Sequence, residues 1–389
     1  MEYPSATAYH NAVQNCHACV LDPLLKTGSP KKKSTYGLSV FSGGYTRVFP
    51  VTTNNGIYAL RCWTKEVENA ESRYKEIKKY LDSCNLSCFV AFDYVSEGIL
   101  VNGFKYPILR MEWAEGPNLK TFIKEHLHES KVLNKTSEQF LQTVSLLHQN
   151  HIAHGDLQHE NIIVQQSQND IDIILIDYDS LYIPAFKGMN DDIVGKPSFQ
   201  HPSRINNKNG KASEYLDYFS ELVIYLTLCA FSEKPELWDL FDIDTAEDFF
   251  FTEKDFLNPD HSKAFDAMNG LSETVCNLSG KLKDYCKQPD IDNFVPLENI
   301  IQPNQTHTNS LQQQSTANNA SIKGKTVNNL MSKIQQLSSS KPVQQKQVVQ
   351  EVNVDQLVNN INSAQFVSSS NLKKPEKGID DLINNISKT

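Results

Sequence analysis

Two short strand-like runs interrupt an otherwise helical part of this 389-residue chain, and polar side chains stand at their edges. The first run, NIIV, begins at Asn161, and Asp156 lies five residues before it. The second run, DIIL, is followed closely by Asp177. Short apolar runs rich in isoleucine and valine predict buried strands. A fold that uses the three polar residues together must place the loop before one strand beside the end of the other.

An Asp, an Asn five residues later and a second Asp after a strand form the set of groups that phosphoryl transfer from a nucleotide requires. One carboxylate orients or deprotonates the attacking hydroxyl, while an amide oxygen and the other carboxylate hold the metal ions that bridge the phosphates. Carboxylate and carbonyl oxygens are the ligands that suit Mg²⁺. The pattern therefore predicts a phosphoryl-transfer site.

The distribution of strand-like and helical segments predicts an α+β fold with two lobes. Residues 40–112 contain short runs rich in β-branched and aromatic residues, interrupted by one helical stretch at 65–83. Residues 118–290 are mainly helical in pattern, including an apolar core helix over 222–231. A small sheet lobe followed by a helical lobe implies a cleft between the two.

Residues 154–164, HGDLQHENIIV, resemble the catalytic loop H-R-D-x-x-x-x-N of protein kinases, and residues 177–179 resemble the metal-binding D-F-G. The resemblance covers about residues 37–290 and is nearest to bacterial eukaryotic-like Ser/Thr protein kinases. It implies a bilobal protein-kinase-like fold, with a small β-rich N-lobe and a helical C-lobe, that uses ATP and Mg²⁺. It assigns Asp156 as the catalytic base beside His154, and Asn161 and Asp177 as metal ligands.

Segments before and after this loop carry the same resemblance. Residues 41–48, FSGGYTRV, resemble a degenerate glycine-rich loop, and Arg61 stands where the lysine of V-A-I-K would be. Residues 111–114 resemble a gatekeeper and hinge, residues 195–204 the end of an activation segment, and Asp217 the residue that braces the catalytic loop. The nucleotide-binding residues implied by the resemblance are Gly43, Gly44, Val48, Ala59, Arg61, Met111, Glu112 and Ala114.

Three departures from the family pattern bear on activity. Arg61 keeps the positive charge of the usual lysine but not its compact ammonium group. Its usual partner is a Glu on the intervening helix, for which Glu71 and Glu76 are candidates, and we favour Glu76. Gly155 replaces an arginine that reads a phosphate on the activation loop in many kinases, which argues against activation by loop phosphorylation. Asp179 replaces the glycine of D-F-G.

Two alternatives to an atypical Ser/Thr protein kinase stay open. A nucleotide-binding pseudokinase scaffold would not require Asp156, Asn161 and Asp177, all of which are present. A small-molecule phosphotransferase is the other alternative, because many such enzymes also have H-G-D in this loop. The segment FQHPSR, residues 199–204, favours a peptide substrate.

Charge and cysteine usage limit the partners and the compartment. The net charge of -9 disfavours binding to nucleic acid or to anionic membranes. The longest apolar run, residues 222–231, is too short to span a bilayer, and the N-terminus lacks the apolar core of a secretory signal. We therefore expect a cytoplasmic protein whose eight cysteines are reduced thiols.

The composition changes near residue 300, which predicts a division into three regions: an N-terminal extension over 1–36, a protein-kinase-like domain over 37–295 and a disordered tail over 296–389. The tail is rich in Gln, Asn and Ser and has one aromatic residue, too few large apolar groups to offset its ordering entropy. Three repeats in it, VNNLMSKI, VDQLVNNI and IDDLINNI, each carry one apolar helical stripe. Repetition of this stripe predicts that the tail docks a partner protein.

Overall fold

The part of the chain up to residue 112 is built on an antiparallel six-stranded sheet in the computed structural model, which describes residues 2–34, 37–168, 170–207 and 210–301. In chain order its elements are α1 (Ala6–Gln14), α2 (Cys16–Cys19), α3 (Pro23–Lys26), β1 (Ser29–Pro30), β2 (Phe41–Ser42), β3 (Thr46–Thr53), β4 (Gly56–Trp63), α4 (Ala70–Cys84), β5 (Phe92–Val101) and β6 (Phe104–Glu112). The strand order is β1-β3-β4-β6-β5, and β2 pairs with β3. This sheet with one long helix confirms the predicted N-lobe.

The first three helices pack on the sheet, although they precede the domain that the sequence indicated. The hydroxyl of Tyr9 donates to the backbone carbonyl of Trp63 at 2.9 Å, and both side chains are buried. Asp22 is also buried and pairs with Arg110 of β6 at 2.6 Å. The N-terminal extension is therefore part of the N-lobe core.

Helices form most of the C-terminal half, with one short antiparallel hairpin of β7 and β8. Its elements are α5 (Leu119–Glu125), α6 (Ser130–Gln149), β7 (Ile162–Gln166), β8 (Ile171–Leu175), α7 (Pro202–Asn206), α8 (Tyr218–Glu233), α9 (Leu237–Leu240), α10 (Glu253–Leu257), α11 (Lys263–Met268), α12 (Glu273–Cys286) and α13 (Leu297–Ile301). Helix α8 is buried on all sides, which confirms the core helix expected over residues 222–231. The α+β bilobal architecture is thus confirmed, and no helix in the described ranges could cross a membrane.

The boundary between domain and tail differs from the prediction. We placed the start of the tail at residue 296, but α13 covers residues 297–301 and Leu297 is fully buried. Its apolar side chain adds to the C-lobe core, which a polar tail could not do. The three repeats and the rest of the tail from residue 302 lie outside the described residues.

A buried histidine connects α13 to the two central helices of the C-lobe. His148 of α6 bonds through Nε2 to Glu221 of α8 at 2.8 Å and through Nδ1 to Glu298 of α13 at 2.9 Å. Burial alone would lower the pKa of His148, but the two carboxylates raise it to about 10. The imidazole is therefore charged at neutral pH and holds α13 against the core.

This triad makes the free energy of unfolding depend on pH. Because the pKa of His148 is higher in the folded chain than its ordinary 6.5, its stabilisation is full below pH 6.5 and is lost as the pH rises through about 10. We expect His148→Gln to cost about 3 to 5 kcal/mol at pH 6, since it leaves the buried Glu221 unpaired. Thermal unfolding of the wild type and of His148→Gln should show a smaller difference in stability at pH 10 than at pH 6. An equal difference at both pH values would contradict the charged triad.

Candidate active site

The loop that carries Asp156 connects α6 to β7 and is held by Asp217, the residue before α8. The Asp217 carboxylate accepts hydrogen bonds from the backbone N–H groups of His154 and Gly155, the second at 2.9 Å. The imidazole of His154 is fully buried and donates through Nε2 to the carbonyl oxygen of Ile176 at 2.9 Å. These bonds fix the loop against both α8 and the segment that follows β8.

Gly155 is required by the backbone at its position. Its φ of +78° lies in the left-handed region that favours glycine, and an added Cβ would lie 2.3 Å from the carbonyl oxygen of Ser180. The Ser180 hydroxyl donates to the backbone carbonyl of His154 at 3.2 Å, so the two segments are in direct contact. An arginine at position 155 would not fit this approach, which gives a structural reason for its absence.

Asp156 is half-buried between the catalytic loop and the segment at residues 195–196. One carboxylate oxygen accepts the backbone N–H of Lys196 at 3.1 Å, and the other accepts Nδ2 of Asn161 at 3.2 Å. The same Nδ2 donates to the backbone carbonyl of Asp156 at 2.8 Å, which ties the two predicted residues together. Burial raises the pKa of Asp156 above its ordinary value, against the opposing effect of His154. A raised pKa makes the carboxylate a stronger base.

Gly195 explains how the activation segment approaches Asp156 so closely. Its φ is +81°, and an added Cβ would lie 2.4 Å from Oδ1 of Asp156. The segment is anchored further along by Arg204 of α7, which binds both oxygens of Asp191 at 2.7 and 3.0 Å. Both side chains are buried, so this bidentate ion pair orders the segment without a phosphate.

Asp177 stands two residues after β8 with a φ of 69°, a left-handed conformation that is costly for a residue with a side chain. Its Oδ1 accepts Nη1 of Arg61 at 2.9 Å. Burial by itself would raise the pKa of Asp177, but the charge and hydrogen bond of Arg61 outweigh it, and the pKa is lowered. The ion pair therefore keeps Asp177 ionised and helps to hold its backbone.

Arg61 has a second aspartate as partner, and our prediction of Glu76 as its partner is wrong. Nη2 of Arg61 binds Asp179 at 2.5 Å, whereas Glu76 lies on the exposed face of α4. Glu71, the other candidate, pairs with Lys75 at 2.7 Å. Helix periodicity is the reason, because the buried face of α4 carries Ala70, Tyr74, Ile77 and Leu81 and turns both glutamates toward solvent.

The predicted nucleotide-binding residues of the sheet lie around Arg61. Gly43 and Gly44 are exposed in the turn between β2 and β3. Val48 of β3 pairs with Arg61 across the β3–β4 ladder, and Ala59 pairs with Met111 across the β4–β6 ladder. The sheet register thus places Val48 directly opposite the buried cation, and Ala59 two residues before it on the same strand.

The hinge residues leave the sheet at the end of β6. Met111 is buried, Glu112 is exposed, and Ala114 follows in an irregular segment. Between them, Trp113 donates its backbone N–H to Ile57 at 3.1 Å and its ring lies 5.5 Å from that of Phe41. This contact brings β2, the strand that precedes Gly43, next to the hinge.

The oxygens available near Asp177 fit a magnesium ion. Arg61 uses Oδ1 of Asp177, and within the described ranges no hydrogen bond engages Oδ2 of Asp177 or Oδ1 of Asn161. The Asp177 carboxylate is 39% exposed, so it faces an accessible space. Hard oxygen donors of this kind hold Mg²⁺ together with substrate phosphates. In the same ranges no group of three or more His, Cys, Asp or Glu could hold a metal, and the eight cysteines are free.

Two residues of the site were not found from the sequence in the roles they have here. Tyr74 donates its hydroxyl to Asp179, and Asp179 in turn binds Arg61. The signal for Tyr74 was the apolar spacing of α4, which places it on the buried face. Asp179 was visible only as a departure from glycine, because its partners are more than 100 residues away along the chain.

Removing the Asp217 carboxylate tests how the catalytic loop is held. In Asp217→Asn one of the two backbone N–H groups of the loop loses its acceptor, and we expect a loss of about 1 to 3 kcal/mol of unfolding free energy. Hydrogen exchange of the amides of His154 and Gly155 should become faster. The matched control is Asp239→Asn, at an exposed carboxylate in the same lobe. Unchanged exchange at His154 and Gly155 would show that Asp217 does not brace the loop.

Comparison with known proteins agrees with this geometry. The family model described as the protein kinase domain matches residues 39–281. A curated relative, calcium/calmodulin-dependent protein kinase type 1 of Caenorhabditis briggsae, is 23% identical over 262 residues, which cover 64% of this chain and 69% of that protein. The residues matched by the family model include β2 to β6 of the sheet, α4, the catalytic loop and Asp177, the elements that build the site. The chain therefore belongs to the protein kinase domain family.

Proposed function

We propose that this protein is an atypical Ser/Thr protein kinase that transfers the γ-phosphoryl group of ATP to protein hydroxyls. The observation that carries the proposal is the joint placement of Asp156, Asn161 and Asp177. Asn161 bonds to Asp156, and Asp177 pairs with the buried cation of Arg61. Because the three groups occur together with a fixed positive charge, the site has each part that positioning and charge stabilisation require.

In the proposed reaction Asp156 orients the substrate hydroxyl and accepts its proton as the new oxygen–phosphorus bond forms. Asn161 and Asp177 would hold Mg²⁺, which would supply positive charge against the charge of the phosphates. Arg61 would direct its charge at the phosphates that leave as ADP. Its pKa is raised by the two aspartates, against the lowering effect of burial, so the guanidinium stays charged.

A protein substrate is favoured by the surface beside the catalytic loop. A cavity of about 310 Å³ opens next to Glu160, between α5 and residues 244–247. It is lined by side chains of both charges, among them Lys120, Lys124 and Asp244. A polar peptide segment fits such a lining.

The free state of all eight cysteines supports the cytoplasm as the compartment.

The pseudokinase scaffold remains the second candidate, since one observation favours it. Arg61 is only 4% exposed and binds both Asp177 and Asp179, an arrangement that already satisfies the cation without a nucleotide. A scaffold of this kind would keep the closed network and transfer no phosphate. Transfer of phosphate to a small metabolite instead of a protein would support the small-molecule phosphotransferase.

The Asp156→Asn variant tests the enzyme proposal. It keeps the shape of the side chain but removes the base, so the transfer rate should fall by about 10² to 10⁴-fold while thermal unfolding changes little. The measurement is incorporation of labelled phosphate from ATP and Mg²⁺ into peptide and protein substrates. Asp172→Asn, at an exposed position on β8, is the matched control and should retain full activity. A wild type that labels no protein, no metabolite and not itself would leave the scaffold as the function.

We also propose that the tail recruits a partner protein through its three repeats. Each repeat can present four apolar residues on one helix face, and three linked copies raise the effective affinity. The tail carries a net charge of +4, opposite in sign to the rest of the chain. This difference favours a partner that accepts an apolar helix face with basic flanks.

Deletion of residues 303–389 and the triple change of Leu330, Leu357 and Leu382 to Ser test the tail. Since the deletion keeps all of α13, we expect the melting temperature of the domain to stay within about 2 °C. Affinity purification from the native cell, compared by mass spectrometry, should recover a partner with the wild type that is absent with both variants. A partner that binds the triple variant as well as the wild type would rule out docking through the apolar stripes.

A further inference from the structure

The guanidinium of Arg61 is held between two carboxylates from the segment after β8. Nη1 binds Asp177 at 2.9 Å and Nη2 binds Asp179 at 2.5 Å, so each partner has its own nitrogen. The Arg61 side chain is 4% exposed, while those of Asp177 and Asp179 are 39% and 23% exposed. Arginine offers each carboxylate a separate nitrogen of one planar group, whereas lysine would have to serve both from a single ammonium nitrogen.

Helix α4 reaches this pair through a neutral hydroxyl. Tyr74 is buried on the inner face of α4 and donates its hydroxyl to Oδ1 of Asp179. The neighbouring Arg73 donates Nε to the backbone carbonyl of Asp179 at 3.1 Å and Nη2 to that of Leu181 at 2.8 Å. The helix therefore contacts both the side chain and the backbone of position 179.

Three departures from the family pattern compensate one another. The usual pattern has a lysine, a helix glutamate and an aspartate before a Phe-Gly, whose charges add to -1. Here Arg61, Asp177 and Asp179 also add to -1, and the helix contributes the uncharged Tyr74. The second carboxylate lies on the segment after β8 instead of on the helix, and the summed charge of the site is the same. Position 179 is not among the residues of positive φ, so an aspartate is tolerated where the family has glycine.

We propose that Asp179 is the positioning carboxylate for Arg61 and that the Tyr74 hydroxyl couples α4 to the nucleotide site through it. The proposal rests on the function proposed above but concerns binding and orientation, not the transfer step. The side chain of Asp177 is partly exposed and would also hold the metal ion of the phosphates. Asp179, bonded on both of its oxygens, holds the direction of the Arg61 fork.

The test measures Mg–ADP binding by calorimetry in the full chain, so that it does not depend on transfer. Asp179→Asn should weaken binding by about tenfold or more, because Arg61 loses a charge-assisted partner. Tyr74→Phe should weaken it less, and amide hydrogen exchange of α4 should become faster. Glu76→Gln on the exposed face of the same helix is the matched control and should bind as the wild type does.

Combining Asp179→Asn with Tyr74→Phe separates positioning from simple stability. If Tyr74 acts through Asp179, the loss of binding in the double variant stays near that of Asp179→Asn alone. Losses that multiply would mean that the hydroxyl acts independently and would overturn the coupling. Arg61→Lys should also weaken binding, because the shorter side chain brings one nitrogen to a site where Asp177 and Asp179 each bind a separate nitrogen.

The triple variant Arg61→Lys, Tyr74→Glu and Asp179→Gly rebuilds the usual arrangement and should bind Mg–ADP within a few-fold of the wild type. If the triple variant keeps the melting temperature of the wild type but does not bind Mg–ADP, Asp179 does not take the place of the helix glutamate. Equal weakening by Glu76→Gln and Asp179→Asn, or a wild type that binds no Mg–ADP, would overturn the proposal. A wild type that binds Mg–ADP but transfers no phosphate would sink only the proposed kinase activity.

Discussion

A buried positive charge at Arg61 is the constraint around which the site is organised. An unpaired guanidinium in this position would be strongly destabilising, so the chain must supply carboxylates at short range. It does so from the segment after β8, with Asp177 and Asp179 at 2.9 and 2.5 Å. Since Arg61 belongs to the sheet and the two aspartates to the segment that follows the C-lobe hairpin, the same ion pairs join the two lobes. The pairing of Arg61 with Asp177 thus also fixes the position of Asp177, the residue that we propose as a metal ligand.

A second set of hydrogen bonds holds the catalytic loop beside the segment that carries Asp177. Asp217 accepts two backbone N–H groups of the loop, and His154 donates to the carbonyl of Ile176, the residue just before Asp177. The loop and the segment after β8 are therefore connected directly, not only through the core. Gly155 permits the close approach to Ser180 that this connection requires. The relative placement of Asp156 and Asp177 follows from backbone contacts, which is why it does not depend on an ordered ligand.

Much of the architecture was predictable because it depends on local patterns. The continuous apolar run of residues 222–231 predicted α8. The helical stretch over 65–83 corresponds to α4 at Ala70–Cys84, and the runs NIIV and DIIL correspond to the β7–β8 hairpin. Predictions failed where a contact between distant segments decides the outcome. The N-terminal helices were separated from the domain although Tyr9 and Asp22 bind the sheet, and α13 was assigned to the tail although His148 holds it through Glu298.

The sequence by itself determined the chemical groups of the site, because Asp156, Asn161 and Asp177 are recognisable from spacing within 22 residues of one chain segment. It also indicated that Arg61 is the cation of the N-lobe. The partner of that cation was decided only by the tertiary structure. Residue 179 meets residues 61 and 74 across separations of more than 100 residues, and the rotation of α4 turns Tyr74 inward and Glu76 outward. The apolar spacing of α4 indicates which of its faces is buried. Which groups of the C-lobe that face meets depends on the assembled fold, because Tyr74 packs on the sheet and reaches Asp179 from there.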